Sequence, residues 1–291
     1  MRIFFLAFLT SLLMPGRSNG QKNAQEARLA IYNISFGAIV SGVGSVLTEQ
    51  HGESVTKAFL KGIKWGALGG GFVYLGKKTS YQINSKKQML YGWPSKFVHD
   101  FGISIVENAA KNQEIFGSFR TNVGFIKIDI STQKHFSIHP KVMPFALGSF
   151  IYGSIKSKLD LNKTILIGTP VFKANKVFLQ GDLGLAGYNT IYMPDTLSYF
   201  FYSVIAHEHV HILQESQYFS ILTWLRPLHN KLNESKKFTI YKKLEKYFYL
   251  DIPIYRIPQI FMNYSPNCFY RNYFELEAQH FASNSYIRKC Y

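Results

Sequence analysis

His207, Glu208, His209, Val210 and His211 spell an H-E-x-x-H pentapeptide inside the stretch Tyr199–Tyr218, YFFYSVIAHEHVHILQESQY. Residues four apart share one face of a helix. On a helix, His207 and His211 therefore aim two imidazoles at a single cation, the arrangement that zinc accepts from nitrogen ligands. Glu208 lies about a hundred degrees round from His207, placed to reach a water on such a cation without ligating it. Phe200, Phe201, Val204, Ile205, Val210, Ile212 and Leu213 make the flanks apolar, so the helix is expected to be buried. Buried charge and imidazole need partners, and a metal is the simplest partner for this set. The competing readings are a chance match to a short pattern, a motif without activity, or a structural site closed by a fourth ligand such as His209 or His280.

A third ligand is needed, and the segment Asn272–Lys289, NYFELEAQHFASNSYIRK, offers one. It reads as a helix with Phe274, Leu276, Ala278, Phe281, Ala282 and Ile287 in its apolar positions. Glu275 and Glu277 point to different faces of it, so only one of them faces the first helix. Together the two segments resemble the gluzincin metallopeptidases, in which H-E-x-x-H is completed by a glutamate on a later helix. The local pattern is most similar to the membrane-associated peptidases of the HtpX and CAAX-prenyl-protease type, whose second helix reads like E-F-E-A-D-x-x-A. Here the run is Glu275-Leu276-Glu277-Ala278-Gln279, followed by His280, Phe281 and Ala282.

The resemblance implies a zincin-like fold and Zn²⁺ held by His207, His211 and Glu275, with Glu277 as the fallback ligand. It also implies Glu208 as general base and a peptide or protein substrate. Gln279 departs from the family pattern, which has an aspartate there to orient a ligand histidine. Glutamine keeps the hydrogen bond and loses the charge. The resemblance covers the two ligand helices alone.

The rest of the chain has to position those helices. With 291 residues, 47% hydrophobic and 17% charged, it has enough apolar sequence for a proper core and is not a disordered chain. A formal charge of +16 points to anionic partners. Scattered lysines and the lack of any nucleic-acid motif favour an anionic membrane surface over nucleic acid. Residues 1–20 look like a secretory signal peptide: Arg2, an apolar run from Ile3 to Met14, then Ser18 and Gly20 before a cleavage site. An uncleaved anchor is the alternative, and either way the chain is expected to be exported to the periplasm or cell envelope.

Residues 21–80 read as a Gly-rich helical hairpin broken at Glu49–Ser54. Gly62, Gly66 and Gly70 are spaced for close helix approach. Membrane insertion or surface association is one reading, and a hairpin packed against the protein body is the other. Lys57, Lys61 and Lys64 argue against a full span by the second helix. Trp93-Pro94 starts a mostly buried helix whose Glu107 is expected to be paired in the core.

Residues 114–195 are expected to be strand-rich. Gly124–Ser131 alternates apolar and polar, and further strands are expected at 135–139, 151–159, 164–167, 176–180 and 189–192. His135 and His139 are read as exposed strand histidines. Residues 189–193 would supply the edge strand that, in a zincin-like fold, pairs with an extended substrate. Cys268 and Cys290 form one disulfide or remain buried thiols. The expected whole is an exported α+β protein. Its hairpin precedes a zincin-like domain, residues 81–291, with a twisted sheet and the two ligand helices at 199–218 and 272–289. The expected activity is zinc-dependent peptide hydrolysis, and the alternative is a non-enzymatic envelope protein with a structural or vestigial metal site.

Overall fold

The computed structural model describes residues 20–49, 53–133, 135–174, 179, 183–194, 200–234, 239–255 and 273–283. The expected signal sequence before residue 20, Cys268, Cys290 and, apart from Leu179, the expected strand at 176–180 lie outside the described residues. The chain is α+β, with long helices and, among the described residues, two small sheets.

Helices α1 (Gly20–Leu47) and α2 (Val55–Thr79) form the expected hairpin, and α4 (Gly92–Ala110) packs on both after the short α3 (Tyr81–Ser85). Small residues set the spacing. A methyl group at Gly66 would stand 2.6 Å from Ser41 Oγ and closer still to the Gly37 carbonyl oxygen. About 60° further round α2, a methyl at Gly69 would stand 2.7 Å from the Gly102 carbonyl oxygen. One helix thus meets two neighbours at backbone distance. Gly66→Val should therefore destabilise the fold by about 1–3 kcal/mol or more through overpacking. Gly148 supplies the control, because nothing lies within 4 Å of a methyl group built there. Gly148→Ala should be neutral or stabilise by up to about 1 kcal/mol, and urea titration of both variants separates the two cases.

Strands β1 (Ser118–Val123), β2 (Ile126–Ser131) and β3 (Ser137–Val142) make an antiparallel meander. The second sheet has the order β4 (Lys158–Leu159), β5 (Val171–Lys173), β7 (Thr190–Met193) and β6 (Leu185–Gly187), with β5 and β7 parallel. Two stretches expected as strands are helices instead. Residues 151–159 fall mostly in α5 (Pro144–Lys156), started by a proline in its first turn. Residues 164–167 fall in α6 (Leu161–Ile167), where Asp160 accepts from the Lys163 amide at 3.1 Å and Gly168 closes the end at φ 76°. Caps at both ends outweigh the β-branched run between them.

Helix α7 (Phe201–Phe219) carries the H-E-x-x-H motif through the middle of the protein. One side, with Val204, Ile205 and Ile212, joins Ile167, Val171, Ile191 and Met193 in the largest apolar cluster. The other side meets the hairpin, where Val210 packs with Leu29, Tyr74, Ala278 and Phe281. After α8 (Arg226–Glu234) and α9 (Thr239–Tyr247), α10 (Tyr273–Ser283) lies against α7. By length and composition Asn23–Leu47 is apolar enough to cross a membrane, and half of that window is buried inside the protein.

Candidate metal centre

The packing of α10 on α7 brings His207, His211 and Glu275 together. The two Nε2 atoms are 3.0 Å apart, Glu275 Oε2 is 3.1 Å from His207 Nε2, and Glu275 Oε1 is 3.4 Å from His211 Nε2. Ligand atoms on a tetrahedral zinc at about 2.0–2.1 Å are separated by roughly 3.3 Å. The triangle is therefore the size of one face of such a tetrahedron, and its donors are of the type that binds a metal. These three residues form a group that could hold a metal ion. The His207 and His211 side chains keep 19% and 17% of their surface exposed, so the group is open to solvent on one side.

Glu277 is turned away from this triangle. It is buried completely and forms an ion pair with Lys77 of α2 at 2.7 Å. Asn33 of α1 donates to it at 2.7 Å and Gln214 of α7 at 2.8 Å. Lys77 also donates to Asn33 Oδ1 at 3.0 Å and Gln217 Oε1 at 2.6 Å. Gln214 joins this network to the triangle, since His211 Nδ1 lies 2.7 Å from its Oε1. With Nδ1 donating to that oxygen, loss of the second ring proton leaves the His211 Nε2 lone pair facing the triangle. The imidazole is thus oriented through Gln214 and Glu277. Gln279, which stands where the resembling family has its aspartate, bonds Ser283 of its own helix at 2.9 Å.

Glu208 is buried beside the triangle and contributes to the charge felt by His211. A methyl group at Gly184, just before β6, would stand 2.8 Å from both Glu208 Oε1 and Val204 Cγ1, so that loop lies close against the carboxylate. The β6–β7 hairpin is fixed there by its turn. Tyr188 and Asn189 both have positive φ, as a tight two-residue turn requires, and the Asn189 amide donates to Glu215 of α7 at 3.2 Å. Residues 189–193 were expected at the sheet edge, but β7 lies between β5 and β6, and the edge beside the metal helix is β6.

His209 does not close the site: its Nε2 faces Ser95 of α4 at 3.3 Å, on the far side of the helix. His280 is buried against Phe281 near Glu26. His139 is exposed on β3 and His135 is exposed as well. Sequence reasoning missed Gln214, Gly184, Asn33 and Lys77. Of these, Gln214 carried a signal, because it sits one turn beyond His211 on the same face.

Burial pushes the His211 imidazole down, but the Glu275 carboxylate, with smaller help from Glu208 and Gln214, raises it to about 9. The histidines in turn hold Glu275 below the usual carboxylate range. A raised histidine value means a proton bound at neutral pH, whose stabilisation is complete below about 6.5 and is lost as pH rises through about 9. Metal uptake at pH 7 should then release about one proton from His211. Calorimetry in buffers of different ionisation enthalpy reads this directly, and zero release would mean that His211 is already neutral.

Comparison with family models, with curated proteins and with solved structures returns no match. The fold and site define an α+β protein with a two-histidine, one-glutamate group that could hold a metal ion.

Proposed function

We propose that the chain is a zinc metallopeptidase of gluzincin type with a zincin-like catalytic domain. The observation that carries this reading is the His207–His211–Glu275 triangle, with Glu208 beside it and one side open. His207 and His211 are the nitrogen ligands and Glu275 the oxygen ligand. Zinc bound there would lower the pKa of a water toward roughly 7 and polarise a carbonyl. Glu208 accepts the proton of the attacking water and delivers it to the leaving amine. Among the described residues β6 is the edge strand of its sheet, and its main-chain groups would pair with an extended peptide substrate and fix the scissile bond relative to Glu208.

Export to the periplasm or envelope and association with a membrane surface belong to the same proposal. They are supported by the apolar N-terminal segment, the net positive charge and the apolar α1 helix. Asn33 and Lys77 tie the hairpin to α10, which supports a hairpin packed into the protein body over one that inserts alone.

Metal content of the purified chain tests the reading. About one zinc per chain is expected, lost in Glu275→Ala. Glu277→Gln should retain it with affinity reduced about 10–100-fold, as befits a group that orients a ligand. Loss of zinc from Glu277→Gln with retention in Glu275→Ala would reverse the ligand assignment. No zinc after reconstitution would favour the non-enzymatic envelope reading.

A further inference from the structure

A cavity of about 480 Å³ lies beyond the C-terminal end of the metal helix, where its lining includes Leu222, Thr223, Leu225 and Arg226 and none of the metal-centre residues. That volume is in the range that holds a small organic molecule, roughly 300–1,000 Å³. The floor is charged. Glu107 of α4 is buried and receives Lys111 at 3.1 Å, Lys127 of β2 at 3.4 Å and Arg120 of β1 at 3.4 Å. Arg120 also reaches Asp129 at 3.3 Å, so three cations share two carboxylates. Lys127 is further held over the Tyr249 ring at 3.8 Å. Lys141 and Arg226 also line the cavity and add positive charge, and Glu245 faces His229 at 3.7 Å. The cavity as a whole therefore carries more lysine and arginine than carboxylate.

The walls have a different character. Leu222, Leu225, Leu244, Phe248 and Leu250 line them, and the last four are more than a third exposed to solvent. Exposed apolar side chains converging above a cationic floor are costly unless an amphipathic molecule covers both. Burial, reinforced by Arg120, pushes the Lys111 amine down to about 8.

We propose that this cavity binds a single-chain amphiphile with an anionic head, its alkyl tail along the leucine and phenylalanine walls and its head on Lys111, Arg120 and Lys127. The head is a carboxylate or a phosphate, because both match the paired cations. A cationic or neutral head leaves the charge excess in place. The proposal does not depend on the metal centre.

Titration calorimetry of the full chain with dodecanoate, below its micelle concentration, tests it. Saturable binding of one dodecanoate per chain is expected, with dodecanol at least about tenfold weaker because it lacks the charge-assisted bonds. Lys111→Gln removes one of three cations and leaves Glu107 two partners. Leu244→Asp places a carboxylate in an exposed wall position. Each should weaken dodecanoate by about tenfold or more with circular dichroism unchanged; Lys111→Gln also lowers the thermal midpoint because buried Glu107 loses one of three partners, whereas Leu244→Asp, at an exposed position, leaves it unchanged. Tighter binding of dodecyl phosphate than of dodecanoate would identify a lipid phosphate as the source of the head, and the opposite order a free fatty acid. Absence of saturable binding, equal binding of dodecanol, or unchanged affinity in both variants would overturn the proposal. Chelator treatment should leave the isotherm unchanged, which separates this site from the metal centre.

Discussion

Glu208→Gln is expected to reduce kcat/KM for peptide hydrolysis by at least about 10²-fold, the lower range for losing a general base. Zinc content should stay at the parent level, because Glu208 is not in the ligand triangle. Glutamine keeps the size and shape that fit beside Gly184, so the substitution removes proton acceptance and little else. The helix should be undisturbed: its apolar contacts come from Val204, Ile205 and Ile212 on one side and Val210 on the other. The informative comparison is the pH profile of whatever activity remains. Loss of the acid limb together with retained metal would identify Glu208 as the group that must be ionised. Turnover within a few-fold of the parent would remove it from the mechanism, and a simultaneous loss of zinc would make it a structural residue.

Lys77→Met should destabilise the protein by about 3–5 kcal/mol, the cost of leaving a buried charge without its partner. Both members of the pair are essentially inaccessible, at 0% and 1% side-chain exposure, so water cannot substitute for the lost amine. Asn33 and Gln217 lose a donor at the same time. Lys77 and Asn33 hold Glu277 below the usual carboxylate range against the opposing effect of burial. A depressed carboxylate stabilises the fold above its unfolded value and loses that contribution as pH falls through the folded one. The acid side of the stability curve should accordingly flatten in Glu277→Gln. The double variant Lys77→Met with Glu277→Leu should recover part of the loss, since matched apolar groups can replace a buried ion pair. Equal stability of parent and Lys77→Met in urea titration would show that the pair carries no net weight. Zinc affinity offers a second readout, because Glu277 reaches His211 through Gln214.

The motif helix was legible because its chemistry is local. Four-residue spacing puts His207 and His211 on one face, and the apolar flanks announce burial. The choice between Glu275 and Glu277 was partly legible, since their helix positions face different ways. What Glu277 does was hidden, because its partner Asn33 is 244 residues away. No periodicity within a segment encodes a contact of that kind. Lys77 stands in the Gly-rich helix α2, and nothing in its local sequence marks it as the fully buried partner of Glu277. The misread strands at 151–159 and 164–167 show another limit. Short β-branched runs carry little weight of their own, and Pro144, Asp160 and Gly168 decided both elements as helices. The exchange of β6 and β7 at the sheet edge followed from the turn at Tyr188-Asn189, which reverses the chain and hides β7 between its neighbours.

The span between Glu275 and the motif has a consequence for biogenesis. His207 and Glu275 are separated by 68 residues, and the support for α10 comes from the hairpin at the other end of the sequence. During synthesis the two histidines emerge well before the carboxylate that completes them. A nascent chain in that interval presents an incomplete and weaker chelate. Were the group to hold an ion, its capture would wait for the docking of a late helix onto an early hairpin, and metal loading would report that both have folded.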